Sequence, residues 1–431
     1  MVISMKSVTL TPSKLNGSVV IPPSKSLCHR AIICASLSSG ISEIHNIGQS
    51  DDIDATIDAM TALGANIIKD GDRLIIDGTN TLKTASPCTI NCMESGSTLR
   101  FLIPIVLHSK APITLTGHGR LPTRPLGTYY TLFDQKGIKY NSDNGSLPLT
   151  INTGDISGVL EIEGNISSQF ISGLLFSLPL YPFDSEIRIT TPLESKGYVD
   201  LTIDIMEKFG VTVHNNNYHT FRIHGGQSYK PTNYTVESDF SQAAFFLVAG
   251  ALGSFVVCKG LSLESKQGDR EIIKIIERMG GKIVCENDGI AALPSQLHGC
   301  EIDATQIPDL VPILTVMAAL AEGETLITGA SRLRIKESDR LTSITEQLNT
   351  LGATVLEKND GLIIEGSGSL KGGTTNSCND HRIAMAVAIA TTCCSDIVVL
   401  EDSDCVKKSY PHFWSDFASL GGIVDEWNVG K

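Results

Sequence analysis

Six glycines recur along this 431-residue chain at nearly constant spacing: Gly64, Gly137, Gly210, Gly280, Gly352 and Gly421, in steps of 73, 73, 70, 72 and 69 residues. Each follows a stretch whose apolar residues return at helical spacing, and each precedes two extended segments joined by a polar turn. Repetition on this scale constrains the fold more than composition does, because every copy must be a supersecondary unit in its own right. The pattern is clearest in DAMTALGANIIKDGDRLIIDG from Asp58, DIMEKFGVTVHNNNYHTFRIHGG from Asp204, IIERMGGKIVCENDGIAAL from Ile275 and EQLNTLGATVLEKNDGLIIEG from Glu346. A weaker copy runs from Thr131 to Thr153, and the last, DFASLGGIVDEW, is cut short by the C-terminus. The glycine is expected to end a helix in the left-handed region, and Asn359-Asp360-Gly361 marks a hairpin turn.

A unit of about 70 residues is too long for a solenoid repeat and long enough for a small α+β module. Six of them predict an α/β chain of α+β repeats arranged as two pseudo-threefold domains. Length agrees, since roughly 100–200 residues per domain gives two or three. The hydrophobic content of 42% is that of a globular chain. No apolar run approaches the roughly 18 residues of a membrane span, and MVISMKSVTLTPSK lacks the apolar core of a signal peptide, so a cytoplasmic location is expected. Eleven cysteines show neither a C-x-x-C pair nor zinc-like spacing. Reduced thiols and no metal site are expected.

The net charge of −13 argues against a nucleic-acid surface, which needs a basic face to displace counterions. An anionic ligand must be drawn by a local basic pocket. Six segments supply its parts, mostly where a helix begins. PPSKSLCHRAIICASLSSG offers Lys25, Ser26 and Arg30 beside free backbone N–H groups. ESGSTLRFLIPIVL joins Ser95, Gly96 and Ser97, small enough for close backbone approach, to Arg100 one turn in. GHGRLPTRPLG sets Arg120 and Arg124 in a loop, where function is commoner than packing. GNISSQFISGLLFSLPL places Ser167, Ser168 and Gln169 ahead of an apolar helix, where a plain N-cap is the simpler reading. RLRIKESDRL crowds Arg332, Arg334, Lys336, Glu337, Asp339 and Arg340 together, and a salt-bridged surface face competes with a site there. NDHRIAMAVAIA puts Asp380, His381 and Arg382 before a long apolar helix, as a capping network would also require. Their corresponding places in successive repeats favour a shared function over independent decoration.

Together the segments PSKSLCHRA (23–31), GSTLRF (96–101), GRLPTRP (119–125), SSQF (167–170), ESKGYVD (194–200), IPDLVP (307–312), RIKESDRL (334–341), NDHRIAMA (379–386) and KSYPHFW (408–414) resemble the 5-enolpyruvylshikimate-3-phosphate synthase (3-phosphoshikimate 1-carboxyvinyltransferase) family over essentially the whole chain. The resemblance implies two domains, each of three βαβαββ-like units, with the active site in the cleft between them. Residues 1–20 with 237–431 would form one domain and residues 21–236 the other. It implies transfer of the enolpyruvyl group of phosphoenolpyruvate to the 5-hydroxyl of shikimate 3-phosphate, in aromatic amino acid biosynthesis. No metal, no cofactor and no covalent enzyme intermediate are implied, and a monomer is expected.

By motif, shikimate 3-phosphate would meet Lys25, Ser26, Arg30, Ser167, Ser168, Gln169, Ser195, Tyr198, Asp309 and Lys336. Phosphoenolpyruvate would meet Lys25, Gly96, Arg124, Gln169, Arg340, Arg382 and Lys408. Asp309 and Lys25 would handle the hydroxyl proton, Glu337 would be the acid/base at the methylene carbon, and His381 would assist. The family commonly has Asn-Ala-Gly-Thr or Asn-Ser-Gly-Thr where this chain has Glu94-Ser95-Gly96-Ser97, and Lys408 stands in for a lysine that some members carry at the position of Asp404. Retention of Gly96 implies sensitivity to glyphosate. The sister enzyme acting on UDP-N-acetylglucosamine carries a cysteine in the loop matching GHGRLPTRPLG, and this chain has none between Cys92 and Cys258. A noncatalytic anion-binding protein of the same fold would have no use for the acid/base set.

Overall fold

The structure, a computed structural model, describes residues 6–83, 85–286 and 289–428. The first five residues, part of the stretch considered above for a leader, lie outside the described residues. Among the described residues six four-stranded sheets form, each with one parallel pairing and two antiparallel ones. One copy shows the plan. Strand Cys88–Asn91 lies parallel to Ile113–Thr116, joined by helix Gly96–Ile105. Helix Gly127–Lys136 then leads through Gly137 into the hairpin Tyr140–Asp143/Ser146–Ile151, whose second arm returns antiparallel to Ile113–Thr116. All six repeat glycines sit at positive φ, from 67° at Gly137 to 106° at Gly64, the conformation a side chain would resist.

The copy that the sequence cuts short is complete in three dimensions. Helix Phe413–Ser419 leads to Ile423–Asn428, and strand Lys6–Thr11 from the other end of the chain pairs antiparallel with both Ile423–Asn428 and Val398–Glu401. Two further strands are exchanged: Asn16–Val20 lies parallel to Phe255–Lys259, and Asn233–Thr235 parallel to Ile41–His45. An unpaired edge is thereby filled by a segment remote in sequence. The chain forms two compact units, one of residues up to Pro22 with Ser238 onward, the other Pro23–Glu237, and each holds three of the sheets.

Two kinds of helix alternate. Phe240–Ala251, Val311–Ala319 and His381–Thr391 have every residue buried, as helices apolar all round must. Lys25–Leu37, Gly96–Ile105 and Ser168–Ser177 are their counterparts in the other unit. The second kind covers the surface with one apolar face, as in Arg340–Thr350 with Leu341, Ile344 and Leu348 buried. Each fully buried aromatic or aliphatic side chain, such as Phe101, Phe176, Phe245 or Leu314, contributes about 1.5–3 kcal/mol. The polar starts of the inner helices are therefore held by apolar bodies that cannot shift cheaply. No described helix is long and apolar enough to cross a membrane, and the eleven cysteines carry free thiols.

Candidate active site

In the unit Pro23–Glu237 the three inner helices begin with the residues singled out above. Ser95 and Ser167 cap two of them, accepting from Thr98 N at 3.2 Å and Gln169 N at 3.3 Å. Gln169 ties the two starts together: its Nε2 donates to Ser97 Oγ at 2.9 Å and its Oε1 accepts from Arg100 Nη1 at 2.8 Å. Arg124 is 8% exposed and lies against Gly96, where a Cβ would stand 2.5 Å from its Nη1. Gly96 is thus set by the approach of a guanidinium as much as by any ligand. Lys25 opens the first helix with its Nζ 2.7 Å from Asp52 Oδ2. Beneath these groups a chain of polar contacts runs from His29 Nδ1 through Thr56 and Thr98 to Ser95, each step 2.7 Å. Burial first, then Lys25 and Arg30, hold His29 neutral well below its usual range.

Arg30 is buried and faces inward. Its Nε donates to Thr202 Oγ1 at 2.8 Å, Nη1 to Ser26 O at 2.7 Å and Nη2 to Tyr198 O at 2.9 Å. Burial draws its pKa down to about 10 against the opposing pull of Tyr198 and Cys34. These bonds use three of the five guanidinium N–H groups. Ser195 starts helix Lys196–Lys208 in the left-handed region at φ 54°, uncommon for a residue with a Cβ, and its carbonyl accepts from Tyr198 N. Ser168 and Ser195 are buried, while Ser26 and Tyr198 are half-buried. Glu94 lies on Gly119: a Cβ there would be 2.5 Å from its Cδ.

In the other unit the charged residues converge on Arg340, which is 2% exposed. Its Nε meets Asp380 Oδ2 at 2.7 Å, Nη1 meets Asp309 Oδ1 at 2.8 Å and Nη2 meets Glu337 Oε2 at 2.8 Å. Burial opposes the arginine's charge, and Asp380, Glu337 and Asp309 more than restore it, so its pKa is raised. Arg382 Nη2 reaches Asp309 Oδ2 and Ser241 Oγ, both at 3.1 Å, and Lys336 Nζ lies 3.7 Å from Asp309 Oδ1. For Asp309 burial favours the neutral acid, but Arg382, Lys336 and Arg340 outweigh it and hold the carboxyl well below the usual range. Burial brings Lys336 down to about 8, with Asp309 partly restoring it.

His381 opens its helix, 1% exposed, behind the N-cap Asp380, whose Oδ1 accepts from Arg382 N at 2.9 Å. Lys408 is buried with its Nζ 2.8 Å from Asn379 O, whereas Lys407 pairs with Asp404 at the surface. Arg334 bridges Asp339 and Glu357, and it is as half-exposed as Lys336, while Glu337 and the buried Arg340 pair with each other.

The sequence motifs gave Asp380 no ligand role and did not single out Ser241. Both sit at helix starts, where a cap is the simpler reading, and only the 2.7 Å approach of Arg340 and the 3.1 Å approach of Arg382 distinguish them. Asp360, taken as a hairpin-turn residue, also accepts from Ser331 N at 2.8 Å and Gly329 N at 3.2 Å, anchoring the start of the Arg332–Arg340 segment.

Each of the two units thus holds three four-stranded sheets of one plan. A solved enolpyruvyl transferase from Streptomyces tendae matches with a TM-score of 0.81 over 99% of this chain and 100% of its own, at 16% identity, a likeness of fold alone. The EPSP synthase of Acinetobacter baumannii matches with a TM-score of 0.82 at 26% identity, over 99% of this chain and 100% of its own. A 3-phosphoshikimate 1-carboxyvinyltransferase of Clostridium perfringens is 56% identical over 421 residues, 97% of this chain and 99% of that protein. The family model for EPSP synthase (3-phosphoshikimate 1-carboxyvinyltransferase) matches residues 10–417, and the chain belongs to this family.

Proposed function

We propose that this chain transfers the enolpyruvyl group of phosphoenolpyruvate to the 5-hydroxyl of shikimate 3-phosphate and releases phosphate, a step toward the aromatic amino acids. Family membership supports the reaction, and the observation that carries the roles is the Arg340 network. One guanidinium holds Asp309, Glu337 and Asp380 at once, so two carboxylates with separate tasks are fixed on one frame. Preorganised charge of this kind needs no rearrangement as the reaction proceeds.

In this reading Ser26, Arg30, Ser167, Ser168, Gln169, Ser195, Tyr198 and Lys336 hold shikimate 3-phosphate. Gly96, Arg124, Gln169, Arg340, Arg382 and Lys408 hold phosphoenolpyruvate, and Lys25 serves both. Asp309, ionised by its cationic neighbours, accepts the 5-hydroxyl hydrogen bond, and the proton shed by that hydroxyl passes with the help of Lys25 to the departing phosphate. The hydroxyl oxygen bonds to C2 as Glu337 protonates the methylene carbon. Glu337 then takes a proton back as the C2–phosphate bond breaks, with His381 assisting. The protein so read acts as a monomer in the cytoplasm on small-molecule substrates. Inhibition by glyphosate belongs to the same proposal, supported by the unsubstituted backbone at Gly96 beside Arg124.

The test is phosphate release from phosphoenolpyruvate with shikimate 3-phosphate or UDP-N-acetylglucosamine as acceptor, for the wild type and Glu337→Gln. Turnover with shikimate 3-phosphate alone, collapsing in the variant, is the expected result. Turnover with the nucleotide sugar would transfer the assignment to the sister reaction. Binding of both substrates without turnover would leave an anion-binding protein.

A further inference from the structure

The inner helices Phe240–Ala251, Val311–Ala319 and His381–Thr391 have a second end, remote from the charged starts that carry Asp239, Asp309 and Asp380. Around those C-terminal ends lies an open pocket of about 450 Å³, lined by Lys14, Leu252, Gly253, Leu320, Cys393 and Cys394 among others. The proposed reaction uses none of these residues. Lys14 Nζ donates to Leu252 O at 2.9 Å and to Cys393 Sγ at 3.3 Å. Cys393 Sγ also lies 3.6 Å from Leu252 O and 3.6 Å from Thr392 Oγ1. Amine and thiol thus converge on one helix-end carbonyl, although 379 residues separate them in sequence. Gly253 makes room for this meeting: at φ 111° it carries no side chain, and a Cβ there would stand 3.2 Å from Lys14 Nζ.

Both groups are reachable, since Lys14 is exposed, Cys393 is half-buried and the pocket opens to solvent. The adjacent Cys394 is buried and its thiol is directed at Ala390 O, 3.5 Å away. Of the two reactive neighbours, the Lys14 amine and not the Cys394 thiol is the one within hydrogen-bond distance of Cys393 Sγ.

We infer that Lys14 and Cys393 form an oxidation site that closes a covalent nitrogen–oxygen–sulfur bridge. The oxidant is dioxygen. The Lys14 amine and the Cys393 thiol each lose one hydrogen to form N–O and O–S bonds to one oxygen atom, and the other oxygen leaves as water with those two hydrogens. Amine and thiol are oxidised together by four electrons, which reduce one dioxygen. Two equivalents of a dithiol reverse the step, returning amine, thiol and water with two disulfides. Lys14 sits between strands Lys6–Thr11 and Asn16–Val20, each of which completes a sheet of this unit from the N-terminal side. The bridge pins that segment to the end of helix His381–Thr391 and acts as a redox-dependent brace on the unit, at the end of the helix opposite Arg382.

The experiment is peptide mapping by mass spectrometry of the full chain, purified under reducing conditions and then exposed to dissolved dioxygen, alongside Lys14→Arg and Cys393→Ser. The expected product is a cross-linked pair of peptides containing Lys14 and Cys393 that has gained one oxygen and lost two hydrogens. It is absent from both variants, and dithiothreitol restores the separate peptides. The oxidised wild type unfolds at a higher temperature than the reduced one, a difference neither variant shows. Recovery of Cys393 as sulfinic acid or as a disulfide with Cys394, with the Lys14 amine free, overturns the inference. So does recovery of both groups unmodified. Cross-linked protein that melts with the reduced form overturns the brace.

Discussion

Arg340 Nε and Asp380 Oδ2 lie 2.7 Å apart with both side chains shut from solvent, the arginine 2% and the aspartate 0% exposed. Asp380 also caps the helix that carries Arg382, so one carboxylate sets two cations and a helix start. Removing one partner of a buried pair strands the other charge, at a cost of about 3–5 kcal/mol. Asp380→Ala should lower the denaturant midpoint by that equivalent and abolish turnover. An unchanged midpoint would mean that Arg340 is held by Asp309 and Glu337 alone.

Lys336 gives a pH signature. Burial holds its pKa at about 8 against an ordinary 10.5, so its charge is present below about 8 and lost above it. In the free enzyme, kcat/KM toward the phosphorylated acceptor should fall along an alkaline limb near that value, and Lys336→Arg should move the limb upward. The stability effect has the opposite sign. Between about 8 and 10.5 the unfolded chain binds more protons at this residue, so its contribution to stability rises with pH. Parallel pH profiles of kcat/KM and of unfolding separate the two.

Gly96→Ala would place a methyl group 2.5 Å from Arg124 Nη1 and push the guanidinium aside. A displaced charge-assisted hydrogen bond is worth about 1.5–3 kcal/mol. The KM for phosphoenolpyruvate should therefore rise at least about tenfold, with a smaller change for shikimate 3-phosphate. Steady-state kinetics with each substrate varied in turn would reveal an equal effect on both, which would argue against this account.

Arg334 fastens the segment that bears Lys336 and Glu337. Its Nη1 meets Glu357 at 2.6 Å and Asp339 at 3.1 Å, while Nη2 and Nε donate to Lys358 O and Asn359 O at 2.7 and 3.1 Å. Asp339 in turn caps helix Arg340–Thr350. Arg334→Ala should cost only about 1 kcal/mol of stability, as a partly exposed pair does. It should lower kcat by roughly tenfold to a hundredfold through misplacement of Glu337. Arg334→Lys, which lacks the planar fork, should restore only part of kcat. A loss confined to KM would assign Arg334 to substrate binding.

Determined by the sequence alone were the sixfold repeat, its helix-ending glycines, the hairpin at Asn359-Asp360 and the polar helix starts. Within each copy these signals are written in a few residues: periodicity, a cap or a positive-φ position constrains the backbone locally. Closure of the last repeat was decided elsewhere, since Lys6–Thr11 finds Ile423–Asn428 only when both chain ends share one core. The ion-pair geometry was decided there too. Arg340 meets Asp309 31 positions away and Asp380 40 positions away. A sequence motif shows that charges are present, but burial among apolar helices removes water and makes each cation choose a partner. That choice made Asp380, still the cap of its helix, the anchor of Arg340 as well and turned Arg30 inward to Thr202, because a charged group left without partners in the core costs more than any local preference contributes.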